Sequence, residues 1–249
     1  MKQTPYVLVD QALLPENISI TLSHACVPLD QHTEQRITEV WTEKIIESKQ
    51  RGKEIFNGTS YRVIKWSFNE GHLSLELGVF DYKHLLGIIS LIKAGELAAT
   101  TDIQGGCFVG ATVCTADNQY VLVQLSGKSM NDNTYDMLGG IAETDVPLST
   151  DGSYLFATLY KELEEEAGIT QSDISDCQLR LFFAGTSAHY GFHFSVTISL
   201  TEKQLTKRFR SNADEDIAAL CFFDKPAYIK KIESLSPNKK LFVELLKED

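Results

Sequence analysis

Between residues 161 and 169 the chain reads Lys-Glu-Leu-Glu-Glu-Glu-Ala-Gly-Ile. At about 100° per residue in a helix, Glu162, Glu165 and Glu166 fall within roughly a 100° arc of one face, and Glu164 points away from it. Phe156, Leu159 and Leu163 cover the adjoining face. Three like charges this close repel one another and raise some of their pKa values. A hard divalent cation reverses that cost, because carboxylate oxygens are its preferred ligands. By spacing alone the run also fits a solvated acidic helix face. Gly168 stands where a helix C-terminus takes a left-handed residue.

Such a face needs a sheet behind it. The helix is expected over residues 152–167, after a strand at 135–138 and the Gly139-Gly140 pair. Paired strands are expected at 108–115 and 120–124, around a turn-rich break at 116–119. Further strands follow at 178–184, 192–200 and 217–223, and residues 237–247 form a last helix with Pro at its start. Upstream, residues 6–9 and 18–22 are short β-prone runs. Residues 32–51 carry a helical pattern through Ile37, Val40, Trp41, Ile45 and Ile46. Residues 60–68 and 72–77 form a hairpin around Asn69-Glu70-Gly71, and 81–98 a helix capped by Asp81. The fold class is therefore α/β, a mixed sheet covered on both faces. A soft boundary separates an N-terminal α+β extension, 1–101, from a second part, 102–249. No long flexible linker divides them, so the two are expected to share a core.

The chain has 249 residues, 43% hydrophobic and 23% charged, which suits one large domain or a core domain with an added subdomain. The 34 Asp+Glu against 23 Lys+Arg leave a net charge of -11, unfavourable for a general nucleic-acid binder. Five cysteines without a C-x-x-C pair read as small buried hydrophobes in a reducing compartment. The opening MKQTPYVLVD reaches an aspartate too soon for a secretory signal. Residues 181–201 lack Asp, Glu, Lys and Arg, but His189, His193 and two glycines interrupt them, so they read as strands and a loop rather than a membrane span. The expectation is a cytoplasmic protein with no membrane partner. No coiled-coil seam indicates an oligomeric state.

The segment 161–169, with Met137-Leu138-Gly139-Gly140 before it, resembles the Nudix hydrolases, whose signature is G-x5-E-x7-R-E-U-x-E-E-x-G-U with U a bulky aliphatic residue. Nine positions match with one departure: Lys161 stands where the family has arginine. From Gly140 to Lys161 there are 21 positions where the signature has 14, an insertion of seven residues. Counting forward puts the first signature glutamate at Val146, and counting back puts it at Ser153. Neither is acidic. Asn57–Arg62, Leu77–Gly87 and Gly139–Thr144 look like the Nudix branch of UDP-glucose and ADP-sugar pyrophosphatases, some of which carry an N-terminal extension and a longer loop in the box.

The resemblance implies a Nudix-type α/β/α sandwich with an N-terminal α+β subdomain. It also implies Mg2+-dependent hydrolysis, with Mn2+ as an alternative ion, of a small nucleoside diphosphate derivative. UDP-glucose or a related nucleotide sugar comes first; ADP-ribose, a dinucleotide or a CoA derivative is the alternative, as is nucleotide binding without turnover. The metal ligands implied are Glu162, Glu165, Glu166 and the Gly139 carbonyl, with Glu162 and Lys161 in the catalytic set. A general base is expected from a later loop, where Glu215 within Asp214-Glu215-Asp216 is the choice. Alternation places His189 and His193 on one strand face, able to contact phosphate or sugar. Arg62 and Tyr82 are the candidates for lining a substrate cleft between the two parts.

Overall fold

A computed structural model describes residues 4–24, 29–52, 54–98, 106–126, 134–186, 189–209 and 216–248. The larger sheet has seven strands: β1 (Tyr6–Leu13), β5 (Cys107–Cys114), β6 (Tyr120–Leu125), β7 (Tyr135–Asp136), β8 (Ile174–Ala184), β9 (Tyr190–Ile198) and β10 (Ile217–Phe223). Their order is β1-β8-β9-β5-β6-β10, with β7 beside β6. β5 and β9 run parallel, and every other pair in this sheet is antiparallel. A second sheet places β4 (His72–Asp81) between β2 (Ile18–Ser23) and β3 (Thr59–Asn69).

Alternation along the strands sorts side chains onto two faces. Phe192, Phe194 and Val196 of β9 join Val109, Ala111 and Val113 of β5 under helix α3 (Ser153–Ala167) and helix α4 (Glu202–Phe209). The opposite face carries Leu181 and Phe183 against α5 (Lys225–Glu233) and α6 (Pro237–Glu248). A register shift between Leu179 and Leu181 is what lets β8 serve both faces here. The result is a mixed-sheet α/β/α sandwich. The small sheet adds Ile18, Leu75 and Leu77 to the α3 core, and Tyr61 meets Tyr154 edge-on at 5.1 Å. The two parts of the chain therefore share one core, and β1, from the N-terminal part, is a strand of the larger sheet. Helices α1 (Gln31–Gln50) and α2 (Tyr82–Ala94) pack around a separate apolar cluster with Ile37, Leu85 and Ile88 at its centre.

Most local signals act as expected. Glu70 and Gly71, at φ 51° and 77°, close the β3–β4 hairpin with the two left-handed residues that a tight turn requires. Asp81 caps α2 by accepting from the His84 N–H at 2.9 Å. That helix ends at Ala94 rather than residue 98, because Gly95 takes the left-handed conformation. Helix α5 is absent from the sequence expectations although Asp224 caps it, accepting from the Ala227 N–H at 2.8 Å. The strand expected over 135–138 shrinks to two residues, and Leu138 makes only an isolated bridge to Ala111. Four cysteines, at 107, 114, 177 and 221, are free thiols; Cys26 lies outside the described residues. Among the described residues, no helix is long and apolar enough to cross a membrane.

Candidate active site

The Gly139-Gly140 loop lies along β5: the Ala111 N–H donates to the Leu138 carbonyl at 3.0 Å and the Val109 N–H to the Gly140 carbonyl at 3.0 Å. Between these two anchors the Gly139 peptide turns to α3, and its N–H donates to the Glu166 carboxylate at 2.8 Å. Gly139 has φ 139°, and a Cβ there would stand 2.3 Å from the Val109 carbonyl oxygen. A Cβ on Gly140 would stand 2.4 Å from Oε2 of Glu162. The first glycine lets two backbones touch, and the second makes room for a carboxylate.

These contacts predict opposite consequences for two alanines. Gly139→Ala meets rigid backbone in a conformation that L side chains rarely adopt, so a loss of about 3 kcal/mol of stability is expected. Gly140→Ala meets only the end of a flexible side chain. Its melting temperature should stay within a few degrees of wild type, while the hydrolysis that the sequence leads one to expect falls at least about tenfold through a displaced Glu162. Thermal melts beside a kinetic assay separate the two, and equal melting losses in both variants would contradict this assignment of roles.

On α3, Glu162 and Glu166 are half-buried, and Glu164 and Glu165 are exposed. Burial, then the neighbouring Glu165, push the Glu162 carboxyl up to about 7; Lys161 opposes this, and Glu143 and Asp145 add to it. Lys161 has its Nζ 2.5 Å from Asp145, 3.3 Å from Glu143 and 4.0 Å from Glu165. Burial lowers its pKa, but Asp145, Glu165 and Glu143 outweigh that and hold the ammonium charged. Counting along the signature missed Glu143 and Asp145. The signal was an acid one position before Val146, brought back to Lys161 by the course of the loop.

The inserted loop is held from the N-terminal part of the chain. The Tyr61 N–H donates to the Ala142 carbonyl at 2.8 Å, the Ile20 N–H to Thr150 at 2.8 Å, and the Gly152 N–H to Pro15 at 3.0 Å. The Tyr154 hydroxyl, from α3, donates to the Glu143 carbonyl at 2.9 Å. β2 and β3 thus fix the loop that brings Glu143 and Asp145 to Lys161. Tyr82 is half-buried beside Trp41, and burial, Glu143 and Asp216 raise its phenol pKa. That places Tyr82 near the acidic loop. Arg62 is 3% exposed on β3 and bridged to Gly106. Glu215 lies outside the described residues, as does Asp214; Asp216 just precedes β10.

His189 and His193 belong to the other face. A cavity of about 180 Å³ opens between β5, β9 and α6, and both imidazoles line it together with Gly139 and Gly140. His193 is 2% exposed, its Nε2 3.0 Å from the Thr112 hydroxyl and its ring stacked on Phe242 at 3.7 Å. Burial, then Lys239 and Arg180, push its pKa down to about 3; burial, then Lys93 and Lys239, push that of His189 down to about 4. Both rings are neutral at physiological pH. Arg62 and Tyr82 are not among the cavity walls.

As placed, no group of three or more His, Cys, Asp or Glu among the described residues is arranged to hold a metal ion. The donor chemistry nonetheless fits a hard cation. Glu162 is a carboxyl whose charge the protein leaves under-compensated, and Glu165 and Glu166 share its helix face.

No family model and no curated protein matches the sequence. Among solved structures, the chain is similar to the NUDIX domain of Shewanella oneidensis NrtR complexed with ADP ribose, at 13% identity over 57% of this chain and 86% of that one, with a TM-score of 0.42. It is similar to a C. elegans Ap4A hydrolase in a binary complex at 12% identity, covering 57% of this chain and 93% of that one, with a TM-score of 0.40. For the MutT protein from Methanosarcina mazei Go1 the identity is 18%, the coverage 57% and 93%, and the TM-score 0.37.

Proposed function

We propose that this protein is a Nudix-type pyrophosphohydrolase that requires a divalent cation, Mg2+ first, and cleaves a nucleoside diphosphate linked to a second moiety. One observation carries the reading: the Gly139-Gly140 loop is held to the glutamate face of α3 by the Gly139 N–H to Glu166 bond, with Glu162 in the space that a Cβ on Gly140 would fill. The residues that would hold the ion are Glu162, Glu165, Glu166 and the Gly139 carbonyl. Bound there, the ion would neutralise diphosphate charge and lower the pKa of a water molecule. Water attacks one phosphorus in line, the bridging P–O bond breaks, and the products are a nucleoside monophosphate and a second phosphate ester.

The chain's own residues position the reactants. Lys161 ties the loop acids Asp145 and Glu143 to the helix beside Glu162 and Glu165, the bracing for which the signature uses arginine. Without an ion, burial and Glu165 hold the Glu162 carboxyl near neutrality, and a bound cation would draw it into the ionised form that coordinates. Glu215, which precedes β10 in the sequence, is the proposed general base. The quoted resemblance at Asn57–Arg62, Leu77–Gly87 and Gly139–Thr144 supports UDP-glucose or a related nucleotide sugar as the substrate. A reading as a nucleotide-binding protein without turnover is favoured by Lys161 and by the lack of a ready-made metal cage among the described residues.

Hydrolysis with Mg2+ of UDP-glucose, ADP-glucose, ADP-ribose, NADH and a dinucleoside polyphosphate, with products resolved by ion exchange, decides among these. The expected result is a monophosphate released selectively from a nucleotide sugar. Preference for ADP-ribose or NADH would keep the site and discard the substrate; no turnover of any compound would overturn hydrolysis.

A further inference from the structure

The cavity beside α6 is walled mainly by aromatic and aliphatic carbon, with Phe108, Phe192 and Phe242 around it. Its polar groups are few and already oriented. The side-chain oxygen of Asn238 accepts from the Thr186 N–H at 3.1 Å, and its amide nitrogen stands 3.3 Å from Nε2 of His189. An amide donor at Nε2 makes that nitrogen the acceptor and leaves the proton of the neutral ring on Nδ1. His193 is held on one face of its ring by Phe242 and at its Nε2 edge by Thr112. Lys239 lines the rim and is paired with Asp136.

A hexose exposes hydroxyls around its whole edge and needs a partner for most of them once buried. A nucleobase needs flat apolar faces and one or two groups at its edge. The walls match the second demand. A space of about 180 Å³ is smaller than the roughly 300–1,000 Å³ of sites for drug-sized ligands, so it suits one ring system and not both halves of a nucleotide sugar. Gly139 and Gly140 line it; the Gly139 N–H also donates to Glu166, and Glu162 occupies the space that a Cβ on Gly140 would fill.

We infer that this cavity takes the nucleobase of the substrate, with His193 and His189 reading its edge, while the diphosphate crosses the Gly139-Gly140 loop to the glutamates and the second moiety lies outside. The inference rests on the hydrolase reading above and deepens it. Choice between uridine and adenosine compounds should then be made in this cavity, and choice of the group beyond the diphosphate outside it.

Gly110 supplies the test. It lines the cavity from β5, and a Cβ there meets only the Leu138 carbonyl oxygen, at 3.6 Å, so a side chain can enter the space without backbone strain. UMP, AMP and glucose 1-phosphate are titrated calorimetrically, without metal, into the full chain and its Gly110→Val and Gly110→Ala variants. Thermal melts check folding, and hydrogen exchange on the wild type maps the contact. The expected result is binding of a nucleoside monophosphate, weakened at least about tenfold by valine and less by alanine, with protection centred on β5, β9 and α6. Equal monophosphate binding by folded variants, protection elsewhere, or no monophosphate binding overturns the cavity assignment. If a monophosphate protects the cavity and yet none of the nucleotide sugars, ADP-ribose, NADH or dinucleoside polyphosphate is hydrolysed, the hydrolase reading fails and the cavity assignment stands.

Discussion

On the function proposed above, Glu166→Gln should reduce metal-dependent turnover by on the order of 10³-fold while the protein remains folded, because one proposed ligand loses its charge at nearly constant volume. The structure sharpens this expectation. Glu166 accepts the Gly139 N–H at 2.8 Å, and the amide oxygen of glutamine can accept the same bond. The loop therefore keeps its anchor while the site loses a negative charge, so lost activity cannot be ascribed to a displaced glycine loop. Turnover at saturating substrate over a Mg2+ titration, beside a thermal melt, measures both terms. Full activity in the variant would remove Glu166 from the site, and a collapsed melt would recast it as a structural residue.

His193 leads to a second large effect, on stability in acid. Its ordinary pKa of 6.5 is pushed down to about 3 in the folded chain by burial and by Lys239 and Arg180. Between those values the unfolded chain binds a proton that the folded chain refuses. The sign follows: this stability is fully present above pH 6.5 and is lost as pH falls towards 3. At about 1.4 kcal/mol per unit, roughly 3 kcal/mol is gone by pH 4.5. Urea unfolding at pH 7.5 and 4.5 should show wild type losing about 3 kcal/mol more than His193→Gln over that interval. The variant starts lower, because it gives up the stack on Phe242. Parallel losses would mean that the imidazole is not the titrating group.

Much of this protein is legible along the chain because its signals are local. The Glu70-Gly71 turn, the Asp81 cap and the Gly168 stop each act over a few residues, and the sequence spells them out. Helical spacing alone put Glu162, Glu165 and Glu166 on one face and Glu164 outside it. The loop before α3 is different. Counting from either end found no acid at the signature position, whereas the folded loop, held by Tyr61 and Ile20, carries Asp145 and Glu143 to Lys161. No one-dimensional register encodes that return, since it depends on which strands the insertion lies against. Helix α5 escaped notice for a related reason: its apolar face is short, and Tyr228 and Ile232 gain their meaning only from the sheet and α6.

The histidines mark the same divide. Alternation put His189 and His193 on one face, but only the tertiary structure decided that this face looks towards α6 and away from the glutamates, with the Gly139-Gly140 loop between the two. Residue types and spacing determined that the chain gathers carboxylates on a helix beside a glycine pair. Packing decided how buried each carboxylate is, which lysine contacts it makes and where an aromatic cavity opens, because burial and charge depend on neighbours that are distant in sequence.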